Sequence, residues 1–212
     1  MKKHFFIDLD GTLTDISNRH YGVYASCVDE LGGLPIPKEQ YWDMKRDNIE
    51  WSNILSLSGL KVIDELIFID KFISKIETTD WLRIDTLLPG VTDTLDNLSR
   101  EYSLILVSLR RDRRELLDQL RNLSIDKYFT LILSGHSDTK RGTLNKKAEI
   151  IREFEYSKED IIIGDTEADI AAGKQLGIRS FAVITGIRSK SFLDNQSPDY
   201  IIPIINDVIK FI

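Results

Sequence analysis

His4-Phe5-Phe6-Ile7-Asp8-Leu9-Asp10-Gly11-Thr12 is a compact apolar run that halts on two carboxylates. A short run that is apolar at consecutive positions, rather than alternating, suits a strand buried on both faces of a sheet. Asp8 and Asp10 follow it directly, and in an extended chain an i, i+2 pair points roughly the same way. Two carboxylates crowded there repel each other unless a cation or a shared proton intervenes, which makes the pair a candidate metal site. An ordinary Asp-Gly turn is the plainer alternative. An EF-hand loop is excluded, because Gly11 comes too early and no glutamate stands at the twelfth loop position.

Four more runs resemble the first: Ser103 to Ser108 (SLILVS), Thr130 to Ser134 (TLILS), Asp160 to Gly164 (DIIIG) and Ser180 to Ile184 (SFAVI). Between them, helical spacing marks Val91 to Arg100, Arg113 to Leu123, Lys147 to Phe154 and Ala168 to Leu176, the last closed by Gly177. Alternating strands and helices predict an α/β fold, a doubly wound parallel sheet of the Rossmann type covered on both sides. In such sheets ligands bind beyond the carboxyl ends of the strands, so the residues just after each strand are the ones that matter.

From Ile16 to about Ile84 the pattern changes. Apolar residues recur at helical spacing in Tyr24, Cys27, Val28 and Leu31 and again through Leu60 to Ile76, with Gly32, Gly33, Pro35 and Pro37 as punctuation. The expectation is a small helical lobe, 16–84, inserted after the first strand into a core made of 1–15 and 85–212. The chain re-enters the core near Leu88-Pro89-Gly90.

Bulk properties narrow the function. A chain of 212 residues with 42% hydrophobic and 29% charged residues can bury one core and carry such an insert. A net charge of −6 argues against nucleic acid as a bulk ligand. The same charge means that a site for anionic substrates needs local positive potential from a metal or a few Lys and Arg residues. Cys27 is the single cysteine, which excludes an internal disulfide and a cysteine-rich zinc site and points to a cytoplasmic setting. The lysines of MKKHFFIDLDGT lead into an apolar stretch too short for a secretory signal. No apolar run approaches the ~20 residues that span a bilayer, so no membrane partner is expected.

The second acidic cluster is Gly164-Asp165-Thr166-Glu167-Ala168-Asp169, between a strand and a helix. A helix cap accounts for it singly. Acidic residues at two strand ends that share one crevice are better explained as an oxygen cage for a hard divalent ion such as Mg2+. Ser108 ends another strand and is followed by Leu109 and Arg110, a turn whose hydroxyl and backbone N–H groups suit a phosphoryl oxygen. Lys146 and Lys147 are expected to open a helix, where their charge opposes the helix dipole and suggests a paired role.

In order, DLDGTLTD at 8–15, Ser108 after SLILV, a lysine near 147 and GDTEAD at 164–169 resemble the haloacid dehalogenase-like hydrolases. The resemblance covers nearly the whole chain. It implies that Asp8 is the nucleophile and Asp10 the general acid and base. Asp8, Asp10 through its backbone carbonyl, Asp165 and Asp169 would serve a Mg2+ cofactor. Ser108, Leu109, Arg110 and Lys147 would bind the transferring phosphoryl group, with Lys146 and then Lys140 as alternatives for the lysine. An acid at position 10 separates the chain from the dehalogenases of that family. The inserted lobe resembles the cap of the phosphoglycolate phosphatase and β-phosphoglucomutase branch, which implies a phosphatase acting on a small phosphorylated metabolite. A phosphomutase of the β-phosphoglucomutase type, or a non-catalytic phosphorylatable switch module, would use the same core residues. In the lobe, Arg46, Lys45, His20 and Tyr24 are candidates to face the substrate.

Overall fold

The structure is a computed structural model describing residues 2–135 and 143–212. Its strands are β1 (His4–Ile7), β2 (Thr14–Asp15), β3 (Thr86–Leu87), β4 (Ser103–Ser108), β5 (Leu131–Ser134), β6 (Ile161–Gly164), β7 (Arg179–Val183) and β8 (Tyr200–Ile202). Its α-helices are α1 (Ser17–Glu30), α2 (Lys38–Arg46), α3 (Trp51–Leu57), α4 (Asp64–Lys75), α5 (Thr79–Leu82), α6 (Val91–Glu101), α7 (Arg113–Asn122), α8 (Thr143–Arg152), α9 (Glu167–Leu176) and α10 (Lys190–Asn195).

Six strands form one sheet in the order β5-β4-β1-β6-β7-β8, and every pairing in it is parallel. The five expected strands are there, and β8 adds an edge strand that stops at Pro203, where the missing N–H cannot extend a ladder. Residues of β1 alternate between two cores. Phe5 and Ile7 join Leu95, Leu116 and Leu120 of α6 and α7, while Phe6 joins Ala148 and Ile151 of α8 and Ala172 and Leu176 of α9. Each fully buried Leu, Ile or Phe in these layers contributes about 1.5–3 kcal/mol, which is why the run reads as continuously apolar.

Helix starts and stops follow local chemistry. Asp112 caps α7 by accepting from the amides of Arg114 and Glu115 at 2.8 and 3.2 Å. Gly177 ends α9 in the left-handed region at φ 68°, the role its position predicts. In α6, Val91, Thr94, Leu95 and Leu98 are buried at helical spacing along a single stripe.

Helices α1 to α5 lie between β2 and β3, which pair antiparallel through Thr14↔Leu87 and Asp15↔Thr86. They surround their own apolar cluster, including Val23, Tyr41, Ile54 and Phe68. Tyr24 belongs to that cluster: its ring stacks on Tyr41 at 4.3 Å between centroids, and its hydroxyl lies 2.5 Å from Ser58 Oγ. It packs the lobe rather than facing a substrate, which corrects the expectation for this residue. The lobe also touches the core away from the strand pair. Arg46 donates to the Ile184 carbonyl at 2.7 Å, and Ser189 N–H donates to the Arg46 carbonyl at 2.9 Å. Among the described residues no helix is long and apolar enough to cross a membrane.

Candidate active site

Strand register explains why distant acidic residues meet. Ile7 of β1 pairs with Ile163 of β6 and with Leu106 of β4, so the residues just beyond all three strands open into one crevice. Asp8 N–H still donates to the Ile163 carbonyl at 3.0 Å, which holds the chain beside Gly164 and Asp165. Side-chain oxygens of Asp8, Asp165 and Asp169 all lie within 4.8 Å of one another, and the three residues are buried.

One cation stands among them. Lys147 Nζ is 2.7 Å from Asp8 and 2.5 Å from Asp169, and the lysine is only 2% exposed. Lys147 lies in the second turn of α8, because that helix begins at Thr143; the expected helix start at Lys146 and Lys147 is therefore corrected. Its carboxylate partners, not the dipole, set its role. Lys146 pairs with Glu149 at 3.5 Å on the surface, and Lys140 lies outside the described residues.

Asp169 does two jobs. One carboxylate oxygen accepts from Thr166 N–H at 3.2 Å and from the Thr166 hydroxyl at 2.7 Å, closing a capping box at the start of α9, while the other meets Lys147. A Cβ added at Gly164 would lie 1.9 Å from the Asp169 carboxyl carbon, so the glycine of the GD pair is required by close approach. Gly164→Ala is expected to lower stability by about 1–3 kcal/mol and to reduce activity by displacing Asp169; unchanged thermal unfolding and turnover would contradict this account.

Charge balance here is negative. Burial, opposed by Lys147 and reinforced by Asp169 and Asp10, pushes the Asp8 carboxyl up to about 7. Burial and then the Asp8 and Asp169 charges push Asp165 well above the carboxylate range. Asp165 accepts from Ile187 N–H at 2.7 Å through one oxygen, and its other oxygen is buried with no hydrogen-bond partner among the described residues. Three crowded carboxylates, one with an orphaned oxygen, and an all-oxygen donor set suit a hard divalent ion. The residues present therefore fit Mg2+.

The Asp10 side chain stands outside that set. Arg110 grips it as a fork, Nε to Oδ2 at 2.5 Å and Nη2 to Oδ1 at 2.6 Å, and Arg19 also pairs with Oδ1. Burial works to raise its pKa, yet the Arg110 and Arg19 charges outweigh it and hold the carboxyl well below the usual range. Asp10 as a side-chain metal ligand is thus not what the geometry gives. Gripped in this way the Asp10 carboxyl is ionised and a weak base, so it must be loosened from the arginines before it can carry a proton in either direction.

Ser108 is 2% exposed at the end of β4, with the Arg110 amide 3.3 Å from its hydroxyl. Ser108, Leu109, Arg110 and Lys147 share a cavity of about 260 Å³ with Asp8, Asp10 and Asp165. On the lobe side His20, Phe72 and Ile76 close it. His20, one of the four lobe candidates, is kept neutral, since burial and the nearby Arg19 and Lys45 charges lower its pKa well below 6.5. Arg46 instead binds core carbonyls, and Lys45 lies over the Trp51 ring at 4.5 Å.

Sequence reasoning missed Arg19, Asp85 and Gln119. Arg19 Nε donates to Asp85 at 3.0 Å, Gln119 Nε2 donates to Asp85 at 2.9 Å, and Arg110 Nη2 donates to Gln119 Oε1 at 3.0 Å. With Asp10 they close a ring that joins α1, the returning linker and α7. The available signal was weak: charged residues flank both ends of the apolar insert.

Residues 6–183 match the family profile described as haloacid dehalogenase-like hydrolase. The chain belongs to this family. This haloacid dehalogenase-like hydrolase is 29% identical to the phosphoglycolate phosphatase of Aquifex aeolicus, over 96% of its own length and 93% of that protein. It is 25% identical to pyrophosphatase PpaX of Oceanobacillus iheyensis, over 97% and 94% of the two chains. A haloacid dehalogenase-like family hydrolase from Streptococcus pneumoniae has the same fold, with a TM-score of 0.79 at 23% identity, covering 99% of this chain and 98% of that one. The protein is accordingly a phosphatase of the family.

Proposed function

We propose that this phosphatase hydrolyses a small phosphorylated metabolite through an aspartyl-phosphate on Asp8, with Mg2+ as cofactor and 16–84 acting as a cap over the site. The observation that carries the reading is the buried Asp8 carboxylate set against Lys147, with Asp165 and Asp169 in reach and Ser108 lining the same cavity. Substrates named for the relatives, phosphoglycolate and pyrophosphate, supply the first compounds to try.

An Asp8 oxygen attacks phosphorus as the bond to the leaving oxygen breaks, and that oxygen takes a proton from Asp10. Water then attacks phosphorus, gives a proton to Asp10 and releases inorganic phosphate as the Asp8–phosphorus bond breaks. Lys147 and the Ser108 hydroxyl hold the phosphoryl oxygens and offset their charge, which is most of what phosphoryl transfer asks of a protein. Asp8, the Asp10 carbonyl, Asp165 and Asp169 would hold the metal, whose chemistry is to neutralise charge on phosphoryl oxygens.

A panel of phosphorylated metabolites scored for phosphate release, with and without a chelator, tests the activity. A phosphoryl mass adduct mapped to Asp8 after acid quench tests the intermediate. Release that survives both chelation and loss of Asp8 would remove the mechanism, and an isomeric sugar phosphate without free phosphate would reassign the enzyme as a mutase. Millimolar Mg2+ is also expected to raise the thermal unfolding midpoint, since a ligand held by the native state alone stabilises it. Asp165→Asn should blunt that rise; an equal rise in both proteins would remove Asp165 from the metal set.

A further inference from the structure

Arg110 is a buried guanidinium which, among the described residues, is hydrogen-bonded to one carboxylate, that of Asp10, and whose remaining nitrogen Nη1 is buried and has no partner among them. An unsatisfied donor on a buried cation is costly, and a planar fork is the geometry that recognises carboxylate or phosphate bidentately. Arg19 converges on the same Asp10 oxygen, while its other nitrogens are fixed by Asp85 and by the Ile76 carbonyl at 2.9 Å. Gln119 braces both sides, accepting from Arg110 and donating to Asp85. Two guanidiniums are thus rigidly aimed at one point inside the cavity.

That point is on the leaving-group side. In the mechanism proposed above, Asp8, Lys147 and Ser108 would surround the transferring phosphoryl group, with Asp10 on the side of the departing oxygen. Whatever the leaving group carries within a few bonds of that oxygen meets Arg110 and Arg19. The cavity of about 260 Å³ is lined by both guanidiniums. Its lobe-side wall sets Phe72 and Ile76 beside the polar His20 and Glu77.

We propose that Arg110 and Arg19 are specificity residues that seat a second anionic group, a carboxylate or second phosphoryl close to the ester or anhydride oxygen, in the position the Asp10 carboxylate takes in the structure. The assignment rests on the hydrolase reading above. Exchange of one anion for another on the fork also loosens Asp10 from its arginines as the substrate arrives. The preferred leaving group is therefore one that carries its own anion.

The test compares kcat/KM for phosphoglycolate, inorganic pyrophosphate and p-nitrophenyl phosphate in wild type, Arg110→Gln, Arg110→Lys and Arg19→Gln. Wild type is expected to favour at least one anion-bearing compound by roughly 100-fold or more, and the arm that wins states whether carboxylate or phosphoryl is read. In Arg110→Gln the preference should fall at least about tenfold, mainly through KM, with Arg110→Lys intermediate because it keeps the charge without the fork. With free Mg2+ held constant, oxalate, a dianion without phosphorus, should compete with p-nitrophenyl phosphate in the wild-type enzyme and less so in Arg110→Gln. Turnover of p-nitrophenyl phosphate with no anion preference and no oxalate competition would overturn the proposal while leaving the hydrolase reading intact. No phosphate from any compound would overturn the hydrolase reading itself.

Discussion

Asp8→Asn is expected to abolish phosphate release, by roughly four orders of magnitude or more, and at the same time to make the metal-free protein more stable at pH 7. Both effects follow from the same burial. The amide keeps the shape and removes the nucleophile. It also removes one of three crowded carboxylates, leaving Lys147 still paired with Asp169 at 2.5 Å. Asp8 titrates near 7 in the folded chain against an ordinary value of 3.8, so between those values the native state binds more protons than the unfolded state. Stability from this group is therefore complete below about pH 4 and lost as pH rises toward 7. The gain from Asp8→Asn should accordingly be small at pH 4 and grow to roughly 1–3 kcal/mol at pH 7, measured by chemical denaturation with a chelator present. Undiminished turnover would end the nucleophile assignment, and a gain that shrinks with pH would contradict the charge account.

Lys147→Met carries the other large effect, with the opposite sign for stability. The lysine is the cation shared by Asp8 and Asp169, and removing one partner of a buried pair typically costs about 3–5 kcal/mol, because a charge is left uncompensated. Protonation of Asp8 relieves that repulsion, so the loss should lessen as pH falls from 7 to 5. On the proposed mechanism activity should drop by roughly 10²–10³-fold, since the charge that would offset the phosphoryl oxygens is gone while Asp8 remains. A pH-independent stability loss would indicate that Lys147 matters for packing alone.

How much of this was readable before the fold is a matter of range along the chain. Strands buried on both faces announce themselves as apolar runs, and Asp8, Ser108 and Asp165 each follow one directly. What lies at strand ends could therefore be placed together by topology alone. Arg19, Asp85 and Gln119 could not, because their meeting depends on how α1 and the returning linker sit against α7, and no local pattern encodes that angle. The side chain of Asp10 shows the same limit. Its position two residues from Asp8 suggested a shared cation, but its partners come from α1 and from the loop before α7. The α8 start is obscured because Asn145, Lys146 and Lys147 separate Leu144 from Ala148, and β8 is three residues long and edged by Pro203.

The paired β2 and β3 have a mechanical corollary. Outgoing and returning chain are stitched together by Thr14↔Leu87 and Asp15↔Thr86, so the lobe hangs from a ribbon rather than from two independent tethers. A two-stranded ribbon yields more readily out of its plane than within it, so a hinge movement of the lobe is expected about these two pairs. Arg46 on the Ile184 carbonyl is the second fastening, and its removal is expected to free that hinge.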